Sequence, residues 1–149
     1  MDREKYMRRA LTLAAQAAAE GEVPVGCVIV DGEGNILGVG RNRRESTRAV
    51  TGHAELEALD AACRMRGDWR LDDCTAFVTL EPCPMCAGAF INARLGTLVY
   101  GAREPQFGSA ASILNLFEER YPSRTAIYGG VLAEESEALL KAFFEKMRG

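Results

Sequence analysis

Thr75-Ala76-Phe77-Val78-Thr79-Leu80-Glu81-Pro82-Cys83-Pro84-Met85-Cys86-Ala87-Gly88-Ala89 is the stretch on which the reading of this chain turns. Residues Thr75–Leu80 are β-branched and apolar, the composition of a buried strand. Pro82 then suits the first turn of a helix running to about Arg94, where the N–H that proline lacks would have no partner. Cys83 and Cys86 are three residues apart, so on a helix they share one face and can grip one ion. A helix N-terminus also favours thiolate, the form of cysteine that binds metal.

Working upstream, the single histidine stands in His53-Ala54-Glu55. A polar loop at 41–51 leads into a predicted helix over about 52–66, with Thr51 as its N-cap. His53, Cys83 and Cys86 supply three zinc ligands, and three protein ligands leave a fourth position for water, the pattern of a catalytic site. Glu55, two residues after the histidine, offers a general acid and base. Other readings exist for each part. Glu55 could be only an acid favoured by the helix dipole. Cys83 and Cys86 could be half of a closed four-ligand site or a redox pair. No second histidine is available for a closed site, and Cys27, Cys63 and Cys74 fall in or beside strand and helix bodies. The three ligands can meet only if two helices lie side by side with their N-termini at one end, which parallel α/β packing provides.

The rest of the chain fits such a sheet. Residues 3–20 are alanine-rich with apolar positions at helical spacing, and Gly21 stops them. Val25–Val30 and Ile36–Gly40 read as strands of a hairpin around the turn residues 31–35. Leu98–Gly101 and Thr125–Tyr128 read as further strands. A Gly/Ser/Ala segment at 108–112 is expected to open a short helix to Glu119, and Ala133–Met147 reads as a last amphipathic helix. Strands alternating with helices predict an α/β sheet covered on both faces. No repeat, low-complexity tract or linker divides residues 1–149, so a single domain is expected.

Apolar residues make up 48% and charged residues 26%, normal for a soluble globular protein. No apolar run approaches the roughly 20 residues of a membrane span, and the charged N-terminus is unlike a signal peptide, so a cytoplasmic location is expected. Five cysteines, an odd number, suit a reducing compartment. Cys27 and Cys63 are expected as buried small hydrophobes, and Cys74 receives no role. The net charge of −3 argues against a generally basic nucleic-acid coat. Any such contact must use local patches, of which Arg41, Arg43, Arg44 and Arg48 around Asn42 are one; solvated charge is the simpler account of each arginine.

Several stretches carry a resemblance: Glu22-Val23-Pro24-Val25-Gly26, Gly40-Arg41-Asn42-Arg43, His53-Ala54-Glu55, Trp69-Arg70-Leu71, Val78 to Ala89, Tyr100-Gly101-Ala102-Arg103, Gly129 to Glu135 and Phe143-Phe144. Through them the chain resembles the cytidine-deaminase superfamily and, within it, the bacterial tRNA adenosine deaminases, nearly end to end. The resemblance implies a three-layer α/β/α sandwich around a five-stranded mixed sheet, and a homodimer. It implies one zinc ion per chain on His53, Cys83 and Cys86, with Glu55 as proton shuttle. Asn42 would hydrogen-bond the target base, and the backbone near Ala54, with Val25, Leu80 and Pro82, would shape its pocket. Ala102–Phe107, including Arg103, Glu104 and Phe107, would line the path of the flanking nucleotides, and Phe143 and Phe144 would close one wall. The implied reaction converts wobble adenosine to inosine in the anticodon loop of tRNA, where the base is already partly unstacked.

Departures from the family pattern fall outside the metal motif. Glu104 stands where many members have Asp, Gln106-Phe107 replaces a more basic stretch, and Pro122-Ser123-Arg124 replaces Asn-His-Arg. They keep open a second reading, a deaminase of free nucleobases or nucleosides of guanine or cytosine type. A third, an inactive zinc-binding partner subunit, usually goes with loss of the shuttling carboxylate, and Glu55 is present.

Overall fold

Val25–Val30 is apolar at nearly every position because the strand it contains is covered on both faces. In the computed structural model, which describes residues 1–149, β1 (Gly26–Val30) is buried throughout. It lies between β2 (Ile36–Arg41) and β3 (Thr75–Leu80), antiparallel to both. Parallel strands β4 (Thr97–Ala102) and β5 (Ala126–Tyr128) complete a five-stranded mixed sheet in the order β2-β1-β3-β4-β5. The register pairs Cys27 with Gly40 on one side and with Val78 on the other. The hairpin turn is fixed by Asp31, whose Oδ1 accepts from the N–H groups of Glu33 and Asn35 at 2.9 Å.

Alternation along the strands sorts side chains into two cores. Cys27, Ile29, Ala76, Val78 and Leu98 point to one face, where α3 (Ala54–Arg66) and α4 (Pro84–Asn92) cover them with Ala58, Leu59 and Phe90. Val28, Val30, Phe77 and Val99 point to the other, where α1 (Arg3–Ala19) contributes Tyr6, Met7, Ala10 and Leu13. With α5 (Ala133–Arg148) beside α1, this is the expected three-layer α/β/α sandwich. Truncating a fully buried ring such as Phe77 or Phe90 to Ala would cost about 3–5 kcal/mol.

Two contacts set how closely the helices sit on the sheet. On β2, a Cβ at Gly38 or Gly40 would overlap the carbonyl oxygens of Ala58 and Ala54 respectively, so α3 rests on the strand backbone to backbone. On the opposite face, Ser136 is the one buried residue of α5, and its Oγ donates to the Thr79 carbonyl at 2.6 Å. The helix is therefore anchored at its first turn, and its C-terminal half is largely exposed.

Several expectations need correction. The cap of α3 is His53, with extended backbone and no side-chain capping bond, not Thr51. Asn42 does the capping from across the loop, its Oδ1 accepting from the Ala54 N–H at 3.0 Å. Helix α4 starts at Pro84 rather than Pro82, with Cys83 as N-cap. A residue that precedes proline is disfavoured in helical conformation, and Cys83 accordingly takes φ −73°, ψ 173°. The predicted helix reaching Glu119 shrinks to one 3-10 turn, Leu116–Glu118. The loop at 41–51 contains a one-turn helix, α2 (Arg44–Thr47), that the sequence reading missed. Cys27 and Cys74 are buried, whereas Cys63 is only half-buried. No helix is long and apolar enough to cross a membrane.

Candidate active site

Strands β2 and β3 both run antiparallel to β1 and are therefore parallel to each other. Each is followed by a helix on the same face, α3 after β2 and α4 after β3, so the two helix N-termini open at the same end of the sheet. His53 and Cys83 occupy the two N-cap positions, and Cys86 sits one turn into α4. The His53 Nδ1 lies 3.5 Å from the Cys86 Sγ and 3.8 Å from the Cys83 Sγ. All three donor atoms fall within 4.8 Å of one another, a group that could hold a metal ion. Bonds of about 2.0–2.3 Å directed to tetrahedral corners set neighbouring N and S donors about 3.6 Å apart, which these separations match.

The electrostatics favour the ligand form, thiolate, at Cys83, while His53 and Cys86 are biased towards their protonated forms. The Cys83 thiol is drawn down to about 4, first by the hydrogen bond from Cys86, against burial, and then by His53. His53 is raised, mainly by its hydrogen bond with Cys83. Cys86 is pushed up by the adjacent Cys83 and by burial. Glu55, in the first turn of α3, is 3% exposed. Burial lifts its carboxyl to about 7, while its own backbone N–H and His53 pull the other way. Its Oε1 is buried without any hydrogen-bond partner. A buried, unpaired carboxylate oxygen is costly. Beside two sulfurs and an imidazole it suits a proton acceptor that waits for a reactant.

A cleft of about 1110 Å³ opens over this group. Of the residues expected to meet substrate, Val25, Asn42, Leu80, Arg103, Glu104, Phe107 and Phe144 line it. Ala54 and Pro82 are buried and do not line it themselves, though His53 and Glu55 on either side of Ala54 do. With Asn42 Oδ1 engaged by Ala54, the side chain retains its two N–H donors. Arg41 is held by Glu20 at 2.7 and 3.0 Å, and Arg43 by Glu57 at 3.0 Å, whereas Arg44 and Arg103 line the cleft. Phe107 is 63% exposed at its rim. Glu104 does not project freely into the cleft: its carboxylate accepts from the N–H groups of Gln106 at 3.1 Å and Phe107 at 2.5 Å.

The sequence reading missed Glu22 and Glu81, both cleft-lining and both buried. The Glu22 carboxylate accepts from the N–H groups of Glu45 at 3.0 Å and Ser46 at 2.8 Å and so fixes α2. The available signal was an acid set in an otherwise apolar run and followed closely by proline, in Glu22-Val23-Pro24 and Glu81-Pro82.

Comparison with known proteins places this geometry. The MafB19-like deaminase family matches residues 1–148. A tRNA-specific adenosine deaminase of Bacillus subtilis is 42% identical over 97% of this chain and 90% of its own length. A solved tRNA:A34 deaminase, from a study of A-to-I editing at the wobble position of transfer RNA, superimposes with a TM-score of 0.87 at 36% identity over 91% of this chain and 99% of its own. The guanine deaminase of Bacillus subtilis superimposes less closely, with a TM-score of 0.67 at 32% identity over 97% of this chain and 95% of its own. The chain belongs to the MafB19-like deaminases of the cytidine-deaminase superfamily, in the group of the tRNA-specific adenosine deaminases.

Proposed function

We propose that the chain hydrolyses the 6-amino group of adenosine at the wobble position of tRNA, leaving inosine. Zinc, one ion per chain, would be held by His53, Cys83 and Cys86; a donor set of two thiolates and one imidazole suits it. When bound, zinc supplies a water acidified from about 15.7 towards 7. Net, one water adds at C6 and ammonia leaves. Glu55 would carry the two protons of that water in turn, the first to the ring nitrogen next to C6 and the second to the departing amine, so that inosine keeps N–H and C6=O and the amine leaves as ammonia. The observation that carries this assignment is the buried, partnerless Glu55 Oε1 beside the ligand group. Asn42 would offer its N–H donors to an acceptor on the base, with Val25 and Leu80 against the ring.

The cleft supports a nucleic-acid substrate. Its volume of about 1110 Å³ exceeds what one free base needs. Arg44 and Arg103 offer phosphate contacts, and Phe107 and Phe144 offer stacking faces to flanking bases. We further propose a single cytoplasmic deaminase domain acting as a homodimer. Ile113 and Leu114, 58% and 46% exposed, precede the 3-10 turn that packs on α4 and would join that helix in the interface. The guanine-deaminase likeness favours a second reading, a deaminase of free bases.

One assay separates them. An anticodon stem-loop, single-stranded DNA, adenine and guanine are offered side by side to the zinc-loaded protein, with inosine and ammonia measured. The expected result is turnover of the stem-loop that weakens with added salt, because phosphate contacts release counterions. Faster turnover of a free base than of RNA would establish the second reading instead.

A further inference from the structure

Glu81 is 2% exposed, carries no part of the proton chemistry, and yet gathers five hydrogen bonds from one loop. Its Oε2 accepts from three consecutive N–H groups, Ala110 at 3.0 Å, Ala111 at 2.7 Å and Ser112 at 2.8 Å. Its Oε1 accepts from the Glu104 N–H at 3.1 Å and the Ser112 hydroxyl at 2.5 Å. Successive backbone N–H groups turned onto one oxygen form an anion nest. Here the anion is the chain's own carboxylate, two residues before a metal-ligand position. A Cβ at Gly108 would overlap the Glu81 carboxyl carbon and the Glu104 carbonyl, so only glycine lets the loop close around it. The grip is nested. Glu81 fixes the Glu104 N–H, the Glu104 carboxylate fixes those of Gln106 and Phe107, and Ser109 ties back to the Pro82 carbonyl at 2.9 Å.

We propose that Glu81 is a positioning residue for substrate: through its clamp on residues 104–112 it holds Phe107 and Arg103 where they meet the nucleotides flanking the target base. The proposal rests on the RNA reading of the cleft. Both of its carboxylate oxygens are taken up by the loop, so it acts through Phe107 and Arg103 rather than on the base itself. Because the clamp and the Cys83 turn share one short segment, the rim is indexed to the metal group rather than hung independently from the sheet. Loss of the clamp should therefore weaken substrate capture while leaving the chemical step in place.

The test is Glu81→Gln, with Ser112→Ala as a gentler variant that removes one donor of the five. A glutamine keeps one acceptor oxygen and replaces the other with an NH2, which faces a backbone N–H in either orientation, so the nest loosens. In Glu81→Gln, hydrogen exchange at the amides of 104, 110, 111 and 112 should accelerate by about ten-fold or more. KM for the stem-loop should rise by about ten-fold with kcat within about three-fold, the pattern of lost uniform binding. Zinc should stay at one ion per chain. Ser112→Ala should move exchange and KM the same way by about two- to five-fold, and it alone decides if Glu81→Gln does not fold. Unchanged exchange, or a fall in kcat or zinc content with KM unchanged, overturns the proposal. If the wild-type chain leaves the stem-loop untouched, the substrate reading fails, and the exchange result alone decides whether Glu81 holds the loop.

Discussion

At the floor of the cleft, His53, Cys83, Cys86 and Glu55 stand on the first turns of two helices packed on a buried sheet. At the rim, Val50, Phe107 and Phe144 stand on loops and on the unanchored half of α5, exposed by 78%, 63% and 45%. The floor is positioned by packing, which tolerates little displacement. The rim is positioned by a few polar clamps from buried carboxylates, Glu22 for α2 and Glu81 for the 104–112 loop. Chemistry and capture are thus held by different forces, and substitutions should divide accordingly.

The largest effect should come from breaking the floor outright. Cys83→Ala should abolish turnover and bring zinc below stoichiometry by elemental analysis; full metal content would show that the site is built from other residues. Glu55→Gln should lower kcat by about 10²- to 10⁴-fold with zinc retained, the usual worth of a general acid and base. Retained activity in that variant would move proton transfer elsewhere. At the rim, Phe107→Ala should raise KM for the stem-loop by about five- to a hundred-fold, as loss of one stacking face does, with kcat nearly constant. A kcat effect as large as that of Glu55→Gln would erase the distinction between floor and rim.

The clamps also predict a pH dependence. Burial alone would raise Glu81, but its bonds from Ser112, Glu104 and Ala111 outweigh burial and hold it below the ordinary 4.5. Burial likewise raises Glu22, and the donors of Glu45 and Ser46 outweigh it. A carboxyl lowered by folding stabilises the fold fully above its unfolded value and loses that contribution as pH falls through its folded value. Urea midpoints should therefore decline below about pH 4.5, and the gap between wild type and Glu81→Gln should narrow over that range. A constant gap would mean that the carboxylate charge does not stabilise the loop. The smallest effect is expected far from the cleft. Arg66 pairs with Asp73 through contacts of 2.5 and 2.9 Å on a partly exposed surface. Arg66→Ala should cost about 1 kcal/mol or less and leave KM and kcat alone.

The same division governs what could be read from sequence. The floor was legible because its chemistry restricts residue type: one histidine, two cysteines at helical spacing and a carboxylate beside them. The strands were legible from alternation and β-branching. The clamps were not, because Glu81 meets residues 23 to 31 positions further along the chain and Glu22 meets a loop 23 positions away. Their consequences were misread for the same reason. The segment after Gly108 forms no helix because its N–H groups turn to Glu81 instead of to carbonyls one turn back. Thr51 is not the cap of α3 because Asn42, brought in by the hairpin, already takes the Ala54 N–H.

Where α3 lies on β2, nothing but main chain separates them, since Gly38 and Gly40 leave no room for a Cβ. The depth at which the histidine-bearing turn is seated thus has no adjustable spacer. A methyl group at Gly40 would lift that turn as a unit, carrying His53 and Glu55 away from the two sulfurs while preserving their own mutual arrangement. The seam along which this catalyst would fail runs between the helices, and a residue that never meets substrate guards it.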